Sequence, residues 1–207
     1  MSRRLLAAAL ALLAFAVAGC AERETAAPLH PNLIIVRDFT ASPGVVTLDR
    51  SFGFSLQRGA PGVPPGQRAA SLGRAAAFTL ADIAVEQLRS FGYDAVRSNE
   101  GGPEPGGRAL VVAGAFRNLD EGSRRSVGAE GSSVAADIEV DYQTQAARPQ
   151  RLMSFQLDSR QVPRERVVSA SVGRGDNVNA AAARIGMTIA RYVAELARRN
   201  NWPGAPR

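Results

Sequence analysis

Apolar residues recur along this chain with two periods, and those periods divide it into elements. Asn32 to Phe39 (NLIIVRDF) is almost unbroken in apolar and β-branched character, which predicts a strand buried on both faces. Over 68–92 the period lengthens. Leu72, Ala76, Leu80, Ile83, Ala84, Leu88 and Phe91 recur at steps of three and four, the stripe of an amphipathic helix, and Gly92 is placed to stop it. Tyr93 to Ser98 reads as a short strand and 99–107 as a turn-rich loop. Arg108 to Leu119 contains ALVVAGAF, apolar on both faces, which predicts a central strand.

Ser133 to Tyr142 alternates. Val134, Ala136, Ile138, Val140 and Tyr142 form the face a helix must cover, while Ser133, Ala135, Asp137, Glu139 and Asp141 face water. Leu152 to Val162 alternates less cleanly, with Met153, Phe155 and Leu157 inward, and 145–150 (QAARPQ) reads as the hairpin loop before it. A second helix is predicted over 177–200. Its stripe is Val178, Ala182, Ile185, Ile189, Tyr192, Val193 and Leu196, with Asp176 or Asn177 as the cap and Arg198 and Arg199 at the negative end of its dipole. Trp202-Pro203-Gly204 ends it.

The resulting order, β-α-β-β-β-β-α, predicts an α/β (α+β) fold: a mixed sheet of about five strands with two helices packed on one face. Residues 40–67 carry Ser42-Pro43-Gly44 and Pro61-Gly62-Val63-Pro64-Pro65-Gly66, the chemistry of a long loop, with room for a short element between Val45 and Leu56. Loops of that length are uncommon unless functional or disordered.

The N-terminus changes the picture. Arg3 and Arg4 precede an uncharged apolar run from Leu5 to Val17, too short for a span of about 20 residues and suited to the apolar core of a signal peptide. Val17-Ala18-Gly19-Cys20 then resembles the bacterial lipobox, an aliphatic residue and two small ones before the cysteine. The resemblance implies cleavage after Gly19 and acylation of Cys20 with palmitate-type chains. Cys20 is the only cysteine, so it has no disulfide partner within the chain. Ala21 stands where an Asp retains enterobacterial lipoproteins in the inner membrane, which implies sorting to the outer membrane. The division expected is 1–19 signal peptide, 20–31 lipidated tether, 32–200 a single domain, and 201–207 a tail.

Composition narrows the function classes. Loss of residues 1–19 leaves 188 residues, one domain's worth, and lowers the net charge from +6 to +4. All 25 basic residues are arginine and they are scattered, with pairs such as Arg124-Arg125 as the longest runs, so nucleic acid is not the expected partner. His30, the only histidine, lies in the tether, and Cys20 is consumed by lipid. A His/Cys metal site or a histidine-dependent triad is therefore not expected, nor is a cofactor. Asp137, Glu139 and Asp141 share one strand face about 6.5–7 Å apart. That spacing suits a hard cation, but a solvated face balanced by Arg151 or Arg160 is the expectation. A carboxylate-pair hydrolase acting on cell-wall polymer needs aromatic platforms, and the chain has one Trp and three Tyr.

The segment 120–133 (DEGSRRSVGAEGSS) joins two predicted strands. Phosphate-binding loops lead from strand to helix and use lysine; this one does neither, so its glycines read as a wide turn or bulged hairpin. Gly122, Arg124, Arg125, Gly128, Gly131 and Ser132 are its candidate partner-contact residues.

The same segment resembles one found in bacterial lipoproteins grouped as domain of unknown function 4410, which pair G-x-x-x-R-x-x-x-G-x-x-x-S with an alternating strand. Here it leads into Val134-Ala135-Ala136-Asp137-Ile138-Glu139-Val140. Leu33-Ile34-Ile35-Val36-Arg37-Asp38-Phe39 is similar to that family's first strand, and Leu88-Arg89-Ser90-Phe91-Gly92 to its Leu-Arg-x-x-Gly helix end. The likeness covers roughly 31–200. Val127, Ala129 and Glu130 stand where the family often has an aromatic. More distantly, the element order is similar to that of the curli secretion lipoprotein and of the amino-terminal domain of TolB, both envelope components. These resemblances imply a fold and a location but no substrate. The function expected is that of a non-enzymatic, membrane-anchored periplasmic lipoprotein, a binding or assembly component of the envelope with an envelope protein as partner. The alternative is an accessory lipoprotein of an envelope lipid or polysaccharide transport system.

Overall fold

Ala109–Asp120 forms the central strand of a mixed sheet, as its two apolar faces require. The computed structural model describes residues 30–49, 63–99, 106–122, 131–145, 147–163, 172 and 177–203. The strands are β1 (Leu33–Arg37), β2 (Val46–Thr47), β3 (Ala95–Ser98), β4 (Ala109–Asp120), β5 (Ser133–Thr144) and β6 (Ala147–Asp158). The helices are α1 (Pro65–Ser90) and α2 (Val178–Arg199). The sheet order is β3-β1-β4-β5-β6. β1–α1–β3 is a parallel crossover, and β4–β5–β6 is an antiparallel meander.

The sixth strand lies inside the predicted loop 40–67. β1 runs parallel to β4 from Leu33↔Ala109 to Val36↔Val112, Thr40 bridges Ala115, and β2 rejoins β4 at Val46↔Leu119. One N-terminal segment thus follows β4 for its full length, broken by the 3-10 turn Pro43–Val45. Two residues of β2 carry no legible alternation, which is why the sequence pattern shows five strands.

Helix α1 starts at Pro65, earlier than 68. Proline is favoured at the first helical position, where no N–H is needed and its fixed φ is already helical. Asn177 caps α2 through its Oδ1, which accepts from the Ala180 N–H at 2.9 Å. Both helices end in the same motif. In α1, Gly92 (φ 88°) turns the chain, and the Tyr93 N–H donates to Leu88 O at 3.1 Å. In α2, Asn201 (φ 52°) does the same, and the Trp202 N–H donates to Ala197 O at 3.0 Å. This is the Schellman closure of a helix C-terminus.

The helices share one face of the sheet. Ile34, Val36, Leu110, Val112, Ile138 and Val140 meet Leu80, Leu88, Ile185 and Ile189 there. On the other face Ile35, Ala109 and Val111 make a smaller cluster. Beyond it Arg151 bridges Glu139 (2.7 Å) and Asp141 (2.6 Å), and Arg117 reaches Asp137 at 3.0 Å. Arg160, weighed for that role, turns instead to the Ser133 hydroxyl at 2.9 Å.

Four further expectations are corrected. The β5–β6 connection is Gln145-Ala146, not 145–150, because β6 begins at Ala147; Pro149 is tolerated since β6 is an edge strand. Tyr192 is 39% exposed instead of inward and packs edge-on against Phe155, ring centroids 4.9 Å apart. Trp202, assigned to a tail, is 6% exposed and belongs to the core. Likewise Pro31 is buried, and His30 Nε2 lies 3.0 Å from Pro203 O, so the ends of the predicted tether and tail are packed on the body.

Candidate contact surface at the loop pole

The strand directions give the domain two unlike poles. At one, the N-terminal pole, the chain enters at His30 and the connections are tight: 91–94, 145–146 and the end of α2. At the other, the loop pole, β3, β4 and β6 end and β5 and α1 begin, so the connections 50–62 and 123–130 have both stems there, while the one after β3 leaves there and returns to the N-terminal pole at β4. The chain leaves the described residues at Asp49 and returns at Val63, and leaves at Gly122 and returns at Gly131.

Glu121 holds these stems together. Its carboxylate accepts from the Asp49 N–H at 3.0 Å and lies 3.7 Å from the Arg68 guanidinium on the first turn of α1. Its own N–H donates to Thr47 O at 3.0 Å, and its carbonyl accepts from the Ser132 hydroxyl at 2.8 Å. Beside it, the Gly122 N–H donates to Asp120 Oδ1 at 2.9 Å, and Gly122 itself takes φ 73°, a backbone region glycine enters without strain. Both loops that the sequence offers as contact surfaces therefore spring from one polar knot. Glu121→Ala is expected to lower stability by about 1–3 kcal/mol, because the Asp49 N–H and Arg68 lose an acceptor at a side chain only 11% exposed. Urea unfolding checks it, and an unchanged midpoint sinks the knot.

The predicted contact residues divide accordingly. Gly122 and Ser132 are stem residues, Ser132 being 6% exposed with its hydroxyl committed, and Gly131 is exposed. Arg124, Arg125 and Gly128 lie outside the described residues, as do Val17, Ala18, Gly19 and Cys20.

Sequence reasoning passes over Phe78. It falls off the apolar stripe of α1 and is 42% exposed. Arg97 lies over its ring, 4.1 Å from the centroid, and is fixed there by a two-pronged pairing with Asp38, Nε to Oδ1 at 2.6 Å. Arg74, Ser71 and Asn99 complete a groove of about 660 Å³ at the carboxyl ends of β1 and β3. Stacked guanidinium and ring make a rigid, amphipathic patch, the kind of surface that anchors a partner. Its only signal in the sequence is a large aromatic where the helix should show a small or charged residue. Among the described residues no three His, Cys, Asp or Glu side chains gather as a metal site. His30 stands at the opposite pole.

Neither a family model nor a curated protein matches this chain. Among solved structures it is similar to a DUF330 protein of Xanthomonas campestris, 12% identical over 86% of this chain and 90% of that one, with a TM-score of 0.35. It is also similar to a neuraminyllactose-binding hemagglutinin homolog of Helicobacter pylori, 12% identical over 84% of this chain and 94% of that one, again with a TM-score of 0.35.

Proposed function

We propose that this chain is a periplasmic envelope lipoprotein, of the kind its resemblance to the domain of unknown function 4410 lipoproteins implies. Fatty chains on Cys20 hold it to a membrane, the outer membrane by the Ala21 criterion. Its domain binds another envelope component through the loop pole and performs no chemistry. The observation that carries this reading is the opposition of the poles. Residue 30 enters at the end built of tight turns, and the ten residues 20–29 reach at most about 33–36 Å from a membrane. The stems of 50–62 and 123–130 and the Phe78 groove lie toward the far end, where an anchored domain meets its partners.

Cells fed labelled palmitate are expected to label the wild-type chain and leave Cys20→Ser unlabelled. A photo-crosslinker at Phe78 or Arg124 is expected to trap a reproducible envelope protein, and one at Asp94 is not. Unlabelled wild type in the soluble extract removes the anchor. Equal trapping from both poles, or none, removes the loop pole as the contact surface.

One observation favours the second reading, an accessory lipoprotein of envelope lipid or polysaccharide transport: a largely apolar pocket at the N-terminal pole.

A further inference from the structure

The pocket at the N-terminal pole has a volume of about 310 Å³, at the lower end of the range for ligand sites. Leu33 and Ile34 at the start of β1, Val193 and Ala197 near the end of α2, and the two aromatics Tyr93 and Trp202 line it. The aromatics are there for a structural reason. Each is the third residue past its helix, and each donates its N–H back to the helix to close the Schellman motif, to Leu88 O and to Ala197 O. Two helix ends thus place a phenol and an indole on one cavity beside the point where the chain enters.

The Tyr93 hydroxyl is buried yet has no hydrogen-bond partner among the described residues. A buried hydroxyl without a partner is costly, and the cost disappears when a ligand brings an acceptor. Burial raises the pKa of this phenol above its ordinary 10, against a smaller opposing effect from the positive charge of Arg198, so at neutral pH it is a donor. The walls thus ask for a narrow apolar body, and Tyr93 for one oxygen acceptor at its head.

We infer that this pocket takes the single alkyl chain of an amphiphile, its head oxygen accepting from the Tyr93 hydroxyl. The inference deepens the second reading, which rests on the same pocket, and it stands without an acylated Cys20 or a partner at the loop pole. The chain has two sources, a free membrane amphiphile or the protein's own acyl group on Cys20, which the tether is long enough to bring back.

Trp202 is the only tryptophan in the sequence and lines the pocket, so its emission reports occupancy. The full chain and its Cys20→Ser variant are kept in cholate, whose rigid steroid body is broader than a single alkyl chain, and titrated with terminally brominated undecanoate, a contact quencher of indole. Saturable quenching, reversed by plain undecanoate, is expected in Cys20→Ser. The same quenching in the acylated wild type identifies a pocket open to free amphiphiles; quenching confined to Cys20→Ser identifies the protein's own chain as the occupant. Ala197→Phe, which fills the cavity from α2, is expected to weaken binding about tenfold or more, and Tyr93→Phe by roughly two- to tenfold, the loss of one hydrogen bond. Leu33→Phe replaces Ala197→Phe if far-ultraviolet circular dichroism shows that the latter does not fold. Absence of saturable quenching in Cys20→Ser overturns the inference, and so does a folded, cavity-filled variant that binds like its parent.

Discussion

Gly114→Val is expected to lower the stability of the domain by about 3 kcal/mol or more, the upper part of the range for overpacking a core. Gly114 lies on β4 opposite Ile138, on the face that meets the helices. A Cβ added there would overlap the backbone oxygen of Asp137 and come within 2.9 Å of Phe39 Cδ1. The Asp137 oxygen belongs to the neighbouring strand and cannot rotate away. Phe39 is 3% exposed and rests on Phe116, ring centroids 5.8 Å apart, so it has nowhere to turn. For a chain of this length each kcal/mol moves the thermal midpoint by about 2–4 °C, so a fall of roughly 6–12 °C is expected. Ala113→Val, one residue earlier and therefore on the opposite face among half-buried neighbours, is expected to cost less than about 1 kcal/mol. Comparable losses at the two positions contradict the assigned face of β4. Phe39→Leu combined with Gly114→Ala is expected to recover part of the loss of Gly114→Ala alone, since one of the two obstacles is then smaller.

The legible parts of this fold are those in which one strong physical demand repeats along a segment. β4 and β1 read as buried because every position is apolar, and the acids of β5 read as outward because they alternate with Val134, Ala136, Ile138 and Val140. Illegible parts depend on a single residue whose role is set by a distant partner. Glu121 in a Gly- and Arg-rich segment is indistinguishable from any loop acid until Asp49 and Arg68 are brought to it. Phe78 reads as a helix residue off the stripe until Arg97 and Asp38, on two other strands' ends, frame it. Trp202 was within reach: an asparagine that tolerates positive φ followed by a large apolar residue is the C-terminal signature of a helix that folds its next residue back onto itself. The likeness of Val17-Ala18-Gly19-Cys20 to a lipobox is one that a processing enzyme, not a fold, would read, and for that reason the domain's architecture adds nothing to it.

The arrangement of poles follows from two elementary choices. A parallel crossover sends α1 from the loop pole back to the N-terminal pole, and the meander β4–β5–β6 ends where it must deliver α2 along the same route, about 33 Å for 22 residues. Both helices therefore finish beside β1. Their caps create the Tyr93–Trp202 cavity at the end where the described chain begins, and the stems of 50–62 and 123–130 lie at the other.

Everything at the N-terminal pole depends on how closely the helices approach. Gly186→Leu is expected to separate them and to cost at least about 3 kcal/mol of the roughly 5–15 available to a domain. Gly186 faces α1 so closely that a Cβ would overlap Leu80 O and come within 3.2 Å of Ala84 N, both backbone atoms held in a helix. The surrounding contact is made of small residues, with Ala76, Ala77, Ala81 and Ala84 on one helix and Ala181, Ala182, Ala183 and Ala190 on the other, all buried. Ridges this low allow the axes to approach more closely than leucine ridges permit, and the atoms nearest the added Cβ are backbone, which cannot swing aside as a side chain can. Gly186→Ala separates packing from propensity. Alanine gains about 1 kcal/mol over glycine inside a helix, so a variant stabilised by that full amount would mean the helices are not in close contact there. A net loss is expected instead, because the clash is with backbone. Leucine at Arg198, exposed on the same helix, is expected to change stability by less than about 0.5 kcal/mol. Since α2 carries Trp202 at its end, wedging the helices apart at Gly186 should also expose the indole. A red-shifted emission from Gly186→Leu in native buffer, together with its lowered midpoint, is the expected pair of results. A leucine variant with parental midpoint and spectrum would remove the close helix contact and the geometry of the pocket built on it.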